Sequence, residues 1–336
     1  MPKEWVIAAP WNEREKLARA VGVSPIVAQL LYNRGITDET TARQFLEPQM
    51  NDIHPPESLP GASEAAERIA AAIEAGRKII VYGDYDVDGI TGVSILWRCL
   101  KLAGARVEFY IPHRLEEGYG VNADAVDALA ADGAEMIVTV DCGVTAVEPA
   151  LRAKNHGVEF IITDHHQPAT AEDGSMKLPE ALIVHPSVSR DGAHDYPNPH
   201  LSGAGVALKL AWAIAQKLSR AAKVRPEFRE FLVDAMGLAA LGIIADVVPL
   251  QGENRIIAHH GLRGLVNSKL PGLQALIHSA SLAGKAIRGY DIGFKLAPRL
   301  NAIGRMGHAQ LAVDLMTRAG PEEAAKIDDN LDKQNA

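Results

Sequence analysis

Apolar and polar positions follow two different periods along the chain, and the change from one to the other divides the sequence. Up to about residue 50 the apolar positions recur at helical spacing, which predicts three short helices. The predicted helices cover residues 14–20, 24–33 and 37–46. Ser24 and Thr37 are candidate N-caps, Gly35 is a candidate C-terminal stop, and the proline-rich stretch 51–61 predicts a linker.

From about residue 62, short apolar strands alternate with amphipathic helices. The predicted strands cover residues 78–82, 106–111, 136–140 and 158–162, and the predicted helices include 65–75 and 123–131. Strands with almost no polar positions are typical of a parallel sheet that is covered on both faces. The alternation therefore predicts an α/β fold built on a doubly wound, mainly parallel sheet.

Helical spacing returns in the second half of the chain, at residues 203–218 and 227–242 and again from residue 322 onward. We therefore expect three parts. Residues 1–60 form a helical N-terminal region and linker, residues 61–320 form an α/β domain with a helical second half, and residues 321–336 begin a further helix.

Composition is that of an ordinary globular protein, with 47% apolar and 23% charged residues among 336. The formal charge of −8 argues mildly against nonspecific nucleic-acid binding, although a local basic groove can coexist with an acidic remainder. The two cysteines, Cys99 and Cys142, form no CxxC pair, which favours a reducing compartment over a disulfide framework or a structural zinc site.

The longest apolar stretch, 235–245, is too short to cross a bilayer, which needs about 20 residues. The N-terminus has charges on both sides of a short apolar run and does not resemble a signal peptide. We therefore expect a cytoplasmic protein without membrane association, and we expect it to be a monomer.

Carboxylates and imidazoles follow three of the predicted strands, each where the strand ends. They are Asp84, Asp86 and Asp88 in GDYDVDG, Asp141 in DCG, and Asp164, His165 and His166 in TDHH. Ligands of a doubly wound sheet bind outside the carboxyl ends of its strands, so these side chains should converge. Two carboxylates about 5 Å apart repel by roughly 3 kcal/mol at an effective dielectric near 20. Several together therefore need a bound cation or strongly raised pKa values.

Oxygen ligands with one or two imidazoles suit Mn²⁺ or Mg²⁺ better than zinc. A shared carboxylate could hold two ions about 3.5–4 Å apart, as in phosphoryl hydrolysis. A calcium loop is the alternative for GDYDVDG, but position 12 counted from Asp84 is Ile95 and not a glutamate, and a strand precedes the loop. Taken alone, Asp141 would be a helix N-cap and the two histidines would be structural; their positions after successive strands favour a metal site.

In this order, GDYDVDG, DCG and TDHH resemble the motifs of the DHH phosphoesterase superfamily. The resemblance covers nearly the whole chain. It continues through IPHR and EGYG within 111–120, LSGAGVA at 201–207, GIIADVVPL at 242–250, ENR at 253–255 and APRLNAIGRMGHA at 297–309. These later motifs are similar to those of the branch that degrades single-stranded DNA.

The resemblance implies hydrolysis of phosphodiester bonds with Mn²⁺ or Mg²⁺, and two ions are expected. It implies a 5′-to-3′ exonuclease on single-stranded DNA or oligonucleotides that acts in repair and recombination, with DNA-repair proteins as candidate partners. The implied metal ligands are Asp86, Asp88, Asp141, His165 and Asp246, with Asp84 as a further ligand or a support. Spacing alone would leave Asp246 as a helix-ending acid. Asp164 and His166 are implied to orient His165 or to approach the scissile phosphate.

Candidate substrate contacts come from the later motifs. Arg114, Arg299 and Arg305 are candidates for phosphate binding because a guanidinium group binds phosphate through two hydrogen bonds. Asn301 is a candidate for positioning substrate. Ser202 begins a helix whose N–H groups could bind an anion, unless the glycines that follow serve only a tight turn.

Two histidines stay undecided at this level. His113 is either a loop residue or part of the site, and His185 occupies a position where relatives often have Asn, for which the sequence offers no account.

Family members usually continue into a DHH-associated domain and, in this branch, an OB-type domain. No segment here matches either, so we expect the chain to end at the start of the connecting helix. Two other functions stay open. One is a phosphodiesterase that acts on short oligonucleotides or nucleotide phosphates. The other is a non-catalytic scaffold at replication forks, which would be expected to lose metal ligands, whereas every acid is present here.

Overall fold

The computed structural model describes residues 6–113, 117–171, 173–188, 196–305, 309–324 and 326, with the side chains at 303–305 excepted. The chain divides into two compact units, Met1–Ile53 and His54–Ala336. Among the described residues, no helix is both long enough and apolar enough to span a membrane.

The first unit consists of three short helices. They are α1 (Arg14–Val21), α2 (Pro25–Tyr32) and α3 (Glu39–Leu46). The predicted cap at Ser24 is confirmed, since its hydroxyl accepts a hydrogen bond from Val27 N at 3.3 Å. The predicted cap at Thr37 is wrong by one residue: Asp38 caps α3 by accepting from Thr41 N at 2.9 Å. A carboxylate competes well for this position because it accepts a strong hydrogen bond from the first turn.

The second unit begins with alternating helices and strands. In chain order these are α4 (Ala62–Glu74), β1 (Lys78–Gly83), α5 (Val87–Leu102), β2 (Arg106–Tyr110), α6 (Ala123–Ala131), β3 (Met136–Val140), α7 (Val147–Asn155), β4 (Glu159–Thr163), β5 (Ala169–Thr170), β6 (Met176–Lys177) and β7 (Leu182–Val184). Strands β2, β1, β3, β4 and β7 form one sheet in that order, and every pairing in it is parallel. The predicted parallel sheet is therefore confirmed.

Helices dominate the rest of the unit. They are α8 (Gly203–Ser219), α9 (Pro226–Ala245), α10 (Gly252–Leu265), α11 (Pro271–Ser279), the single turn α12 (Gly289–Asp291), the π-helical turn π1 (Ile292–Leu296), α13 (Ala297–Arg305) and α14 (Ala309–Thr317). Residues 321–324 are also helical, and most of the helix predicted beyond residue 322 lies outside the described residues.

Both faces of the sheet are covered, which explains why its strands have so few polar positions. On one face Ile80 and Tyr82 of β1 pack with Val126 of α6 and Ala150 of α7. On the other face α5 packs against α8 and α9. Successive residues of a strand point to opposite faces, so a strand buried on both sides must be apolar at every position.

Candidate metal centre

The carboxyl ends of β1 and β3 lie where the strand order reverses. The chain leaves β1 for β2 on one side and returns to β3 on the other, so the crossover helices α5 and α6 cover opposite faces. Such a reversal leaves a crevice outside the strand ends, which is where open α/β sheets bind ligands. Backbone hydrogen bonds tie the loops together here: Asp84 N donates to Val140 O at 3.3 Å, and Asp141 N donates to Thr163 O at 3.0 Å.

The structure brings the predicted acids and imidazoles together at this crevice. Ligand atoms within each of three groups lie no more than 4.8 Å from one another. The groups are Asp84 with Asp86 and Asp141, Asp88 with His165 and Asp246, and Asp141 with His165 and His166. Asp141 belongs to the first and third groups, so its carboxylate lies between Asp84 and Asp86 on one side and the two histidines on the other.

His165 lies at the centre of the cluster. Its Nε2 is 3.0 Å from Asp141 Oδ1, 3.7 Å from Asp88 Oδ2 and 3.7 Å from Asp246 Oδ2. Burial, together with the neighbouring His166, lowers the pKa of His165 to about 4. The imidazole is therefore neutral near pH 7, which is the form that binds a metal ion.

The carboxylates are crowded and buried, and both conditions raise their pKa values. Burial first, and then nearby carboxylates, raise the pKa to about 7 for Asp84, about 8 for Asp88 and about 6 for Asp246. The same causes raise the pKa of Asp141 well above its ordinary value. Without a cation the cluster therefore holds protons at neutral pH, and a divalent ion would replace them.

Three buried atoms of the cluster test whether a metal fits. Within the described part of the chain, Asp84 Oδ1, Asp141 Oδ1 and His165 Nε2 have no well-directed hydrogen-bond partner. An unsatisfied buried polar group is costly, and ion coordination is one way to satisfy it. Carboxylate oxygens with one neutral imidazole are a donor set that suits Mn²⁺ or Mg²⁺. The residues present therefore fit a divalent ion.

Helix termini hold two of the carboxylates in place. Asp86 caps α5, because its Oδ1 accepts from Asp88 N at 2.9 Å and Gly89 N at 3.0 Å. Asp88 reaches the N-terminus of α8, where it accepts from Gly203 N at 2.6 Å and Ala204 N at 3.1 Å. A helix N-terminus stabilises a negative charge through its exposed N–H groups.

Ser202 was expected to contact substrate, whereas in the structure its side chain contacts Asp88. Its side chain is completely buried, and its hydroxyl donates to Asp88 Oδ1 at 2.9 Å. The anion bound at this helix N-terminus is thus the protein's own carboxylate. The sequence suggested an anion at this helix N-terminus but could not indicate that Asp88 would lie there; substrate contact by Ser202 stays a prediction.

Three glycines allow helix backbones to press against aspartates of the cluster. A Cβ on Gly89 would overlap Asp84 O, one on Gly203 would overlap the Asp141 carboxylate, and one on Gly242 would overlap Asp88 Oδ1. Sequence reasoning considered only Gly203 among them, as part of a helix start that could bind an anion or of a tight turn, and assigned Gly89 and Gly242 no role. The signal was present, since all three glycines lie within the recognised motifs, but only packing reveals why a side chain is excluded.

Two residues at the cluster have left-handed backbones. Asp141 has φ 62° and Val247, directly after Asp246, has φ 61°. Aspartate tolerates this region, whereas a β-branched residue rarely adopts it. Strain of about 1–3 kcal/mol is typical of such residues, and it persists where surrounding contacts enforce the conformation.

Asn254 is a buried residue that sequence reasoning also missed. Its Nδ2 donates to Pro249 O at 3.1 Å and to His200 O at 2.7 Å, and its Oδ1 accepts from Asn198 at 3.0 Å. The first carbonyl belongs to the turn that follows Asp246, and the second precedes Ser202. One side chain therefore joins the two segments that position Asp246 and Asp88.

Asp164 and His166 form a pair at the rim of the cluster. Burial alone would raise the pKa of Asp164, but hydrogen bonds from His166 and backbone N–H groups lower it overall. Asp164 Oδ1 lies 2.8 Å from His166 Nδ1, and this hydrogen bond raises the pKa of His166 to about 8. His166 Nε2 lies 3.1 Å from the hydroxyl of Tyr119, a residue that is 61% exposed.

The structure explains how a histidine can occupy position 185. It is completely buried, and its Nε2 lies 2.9 Å from His166 O, while its Nδ1 accepts from Ser187 N at 3.0 Å. With Nδ1 accepting, Nε2 carries the proton and donates to the carbonyl. An asparagine amide offers the same combination of one donor and one acceptor, so the two residue types can serve the same purpose here.

The remaining predicted contacts are only partly described. Arg299 on α13 donates its Nη1 to Lys295 O at 2.8 Å, and Asn301 is half-buried on the same helix. His113 is half-buried in the loop after β2, with its backbone N bonded to Glu117 at 2.8 Å. Arg114 and the side chain of Arg305 lie outside the described residues. Phosphate binding by these residues stays a prediction.

Comparison with known proteins places this geometry in a family. A model described as "DHH family, N-terminal domain" matches residues 78–243. The single-stranded-DNA-specific exonuclease RecJ of Bacillus subtilis is 40% identical over 334 residues, which is 98% of this chain and 40% of that protein. The RecJ of Thermus thermophilus is 36% identical, over 98% of this chain and 44% of that protein.

Solved structures give the same result. The crystal structure of Thermus thermophilus RecJ in complex with Mn²⁺ matches with a TM-score of 0.78 and 31% identity, over 96% of this chain and 43% of that chain. An exonuclease RecJ bound to manganese matches with a TM-score of 0.71 and 37% identity, over 82% and 66%. This chain spans less than half the length of the two curated relatives. It belongs to the DHH family and is a RecJ-like member of it.

Proposed function

We propose that this chain is the hydrolytic core of an exonuclease that removes nucleotides from the 5′ end of single-stranded DNA with Mn²⁺ or Mg²⁺. The observation that carries the proposal is the cluster at the sheet reversal, where five buried or half-buried carboxylates meet a neutral imidazole. The buried atoms that lack hydrogen bonds make a cation the natural complement of the cluster.

The relatives support the substrate class. Curated proteins that match 98% of this chain are named single-stranded-DNA-specific exonucleases, and matching structures contain Mn²⁺ or Mg²⁺. The 5′ polarity and the role in repair and recombination rest on the family resemblance. A cytoplasmic location, a monomeric state and DNA-repair proteins as partners stay predictions.

Two ligand sets would hold two ions. Asp84, Asp86 and Asp141 form one set, Asp88, His165 and Asp246 form the other, and Asp141 is placed to contribute to both. When bound, such ions lower the pKa of water and neutralise charge on a phosphoryl group. The protein's task is to hold the ligands at fixed positions, which the helix N-termini and glycine contacts do.

His166 is the residue best placed to act on the substrate directly. Its side chain is 42% exposed, and without bound ions the hydrogen bond to Asp164 raises its pKa to about 8. A substrate phosphoryl oxygen would take the place of the Tyr119 hydroxyl at Nε2, so that the protonated imidazole donates to it where negative charge develops during hydrolysis. Asp164, fixed by a 2.8 Å hydrogen bond from Val144 N, holds the ring in that orientation.

Digestion of 5′-phosphorylated DNA tests the proposal. We expect release of mononucleotides from single strands with Mn²⁺ or Mg²⁺, little release from duplex DNA, and none with EDTA. Asp141→Asn should abolish release, whereas Asp173→Asn, at an exposed aspartate in the β5–β6 turn, should leave it unchanged. Full activity of Asp141→Asn would refute the mechanism.

The same assay separates the other two functions. Turnover of a trinucleotide with no turnover of a long strand would indicate a phosphodiesterase for short substrates. Absence of both activities, with no Mn²⁺ uptake in a binding isotherm, would indicate a scaffold.

A further inference from the structure

Two large aromatic rings lie exposed on the segment that precedes α13. Tyr290 is 65% exposed and Phe294 is 71% exposed. Their rings stack on each other, with centroids 4.7 Å apart and planes inclined by 27°. Aromatic side chains of this size usually bury most of their surface, so an exposed stacked pair indicates a surface that binds something.

The backbone beneath the pair is firmly anchored. Ile292 and Leu296 of π1 are completely buried, and Asp291 accepts from Arg288 N at 3.1 Å and from Lys295 Nζ at 2.7 Å. The two rings therefore stand on a fixed base. A π-helical turn is rare and occurs often at functional sites, because it places side chains that a regular α-helix would not bring together.

The segment that carries the pair is rich in cationic residues. Between residues 285 and 299 the chain has four cationic residues and one acid. The cations are Lys285, Arg288, Lys295 and Arg299, and the acid, Asp291, is already paired with Lys295. This excess of positive charge contrasts with the net charge of −8 for the chain. Exposed aromatic rings on a cationic segment are typical of surfaces that bind single-stranded nucleic acid.

The segment that carries the pair packs against a helix that leads to the metal centre. The turn π1 packs against α9, the helix that ends at Asp246, and the chain continues directly into α13 with Arg299 and Asn301. We propose that Tyr290 and Phe294 form a stacking platform for nucleobases, which holds a single strand at a second point besides the metal centre. This inference rests on the proposed function for the identity of its ligand. Stacking tolerates any sequence because every base has an aromatic face.

Fluorescence of 2-aminopurine tests the platform without any cleavage. Oligothymidylate strands of about 12 nucleotides, each with 2-aminopurine at a different position, would be titrated with the full chain in EDTA. We expect quenching at one or two neighbouring positions of the strand. Phe294→Leu should abolish this quenching and weaken strand binding about tenfold, whereas Phe294→Trp should retain both. Leu151→Ala, at a leucine that is 51% exposed on α7, is the matched surface control.

Three possible results would decide whether Tyr290 and Phe294 form a nucleobase platform. Equal strand binding by Phe294→Leu and Phe294→Trp would overturn the inference. Unchanged strand binding by Phe294→Leu, with loss of a self-association seen in wild-type sedimentation, would also overturn it and identify a protein-docking surface. Position-specific quenching that depends on an aromatic residue at 294 would support the platform even if the wild-type chain hydrolysed nothing, in which case the proposed function alone would fail. With an active chain, Phe294→Leu should raise KM for long strands.

Discussion

At the scale of single residues, Asp88 shows how this protein keeps a carboxylate both buried and available to a metal ion. Three donors hold it, from Ser202, Gly203 and Ala204, and together they fix the orientation of the oxygens. Groups that orient metal ligands in this way usually affect metal affinity strongly when removed.

Ser202→Ala is therefore expected to weaken Mn²⁺ binding about tenfold or more and to leave KM for DNA at saturating Mn²⁺ unchanged. Isothermal titration with Mn²⁺ and a kinetic series at fixed high Mn²⁺ would measure the two quantities. Ser175→Ala, at an exposed serine in the β5–β6 turn, is the control. A raised KM with normal Mn²⁺ affinity would restore the earlier expectation that Ser202 contacts substrate.

Asn254 acts through the two segments that it joins. Asn254→Asp keeps the shape and the contact with Asn198 but turns two donated hydrogen bonds into repulsion between oxygens at Pro249 and His200. We expect the set Asp88–His165–Asp246 to lose its ion first. Mn²⁺ bound per chain, counted by electron paramagnetic resonance, should fall from two toward one, while Asn267→Asp at an exposed position stays at two. Two tightly bound ions in Asn254→Asp would show that the hydrogen bonds from Asn254 to Pro249 and His200 are not needed to position the ligands.

The fold class, the central histidine and every carboxylate except Asp246 were predictable from the sequence, because each of these side chains follows a strand whose apolar run is easily recognised. Asp246 ends the helix α9, and only the family resemblance pointed to it. The glycines and Asn254 were not predictable. Their importance depends on which atoms lie opposite them, and residues such as Gly203 and Asp141 are far apart in the sequence.

At the scale of elements, the strands followed the predicted pattern closely. β3 was predicted at 136–140 and found at Met136–Val140, whereas β7 was not predicted because Leu182–Val184 is too short to show a period. No helix or strand was predicted within residues 285–310, and part of this segment is the π-helical turn at Ile292–Leu296, in which the side-chain spacing departs from 3.6 residues.

Close packing of α9 against α5 and α8 depends on Gly242. Gly242→Ala would place a methyl group against Asp88 Oδ1 and Ala204, so we expect a loss of about 1–3 kcal/mol in the free energy of unfolding and weaker Mn²⁺ binding. Gly264→Ala on α10 is the control, and we expect it to raise the free energy of unfolding. The atom nearest its Cβ would be 3.9 Å away, so helix propensity should stabilise the protein by about 0.5–1 kcal/mol. Chemical denaturation measures both; equal effects would contradict the packing argument.

At the scale of the whole molecule, the buried acids make stability depend on pH and metal together. In the folded state the pKa values of Asp84, Asp88 and His166 are raised to about 7, 8 and 8. The folded protein therefore binds more protons than the unfolded chain, and its stability falls as these protons are lost. His165, with a lowered pKa of about 4, opposes this trend only below its ordinary value near 6.5.

Between pH 6.5 and 8.5 all of these shifts act in one direction. In EDTA the Tm should therefore fall as the pH rises across this window. The increase in Tm on adding Mn²⁺ should grow over the same window, because the ion competes with fewer protons. Differential scanning calorimetry at a series of pH values measures both. Asp88→Asn should flatten the pH dependence in EDTA, and a wild-type Tm that did not change with pH would contradict the argument.

The ligand set of Asp88, His165 and Asp246 also has a consequence for the order of folding events. Asp88 and Asp246 lie 158 positions apart in the chain, and both must be in place, with α8 docked between them, before the second set can close on an ion. A nascent chain cannot offer that set until α9 has been synthesised and packed. Because this set joins segments that are far apart in the chain, we expect it to close only after the folding transition state, and Mn²⁺ should then slow unfolding and leave the folding rate nearly unchanged. The metal ion would then slow the unfolding of a fold that assembles without it.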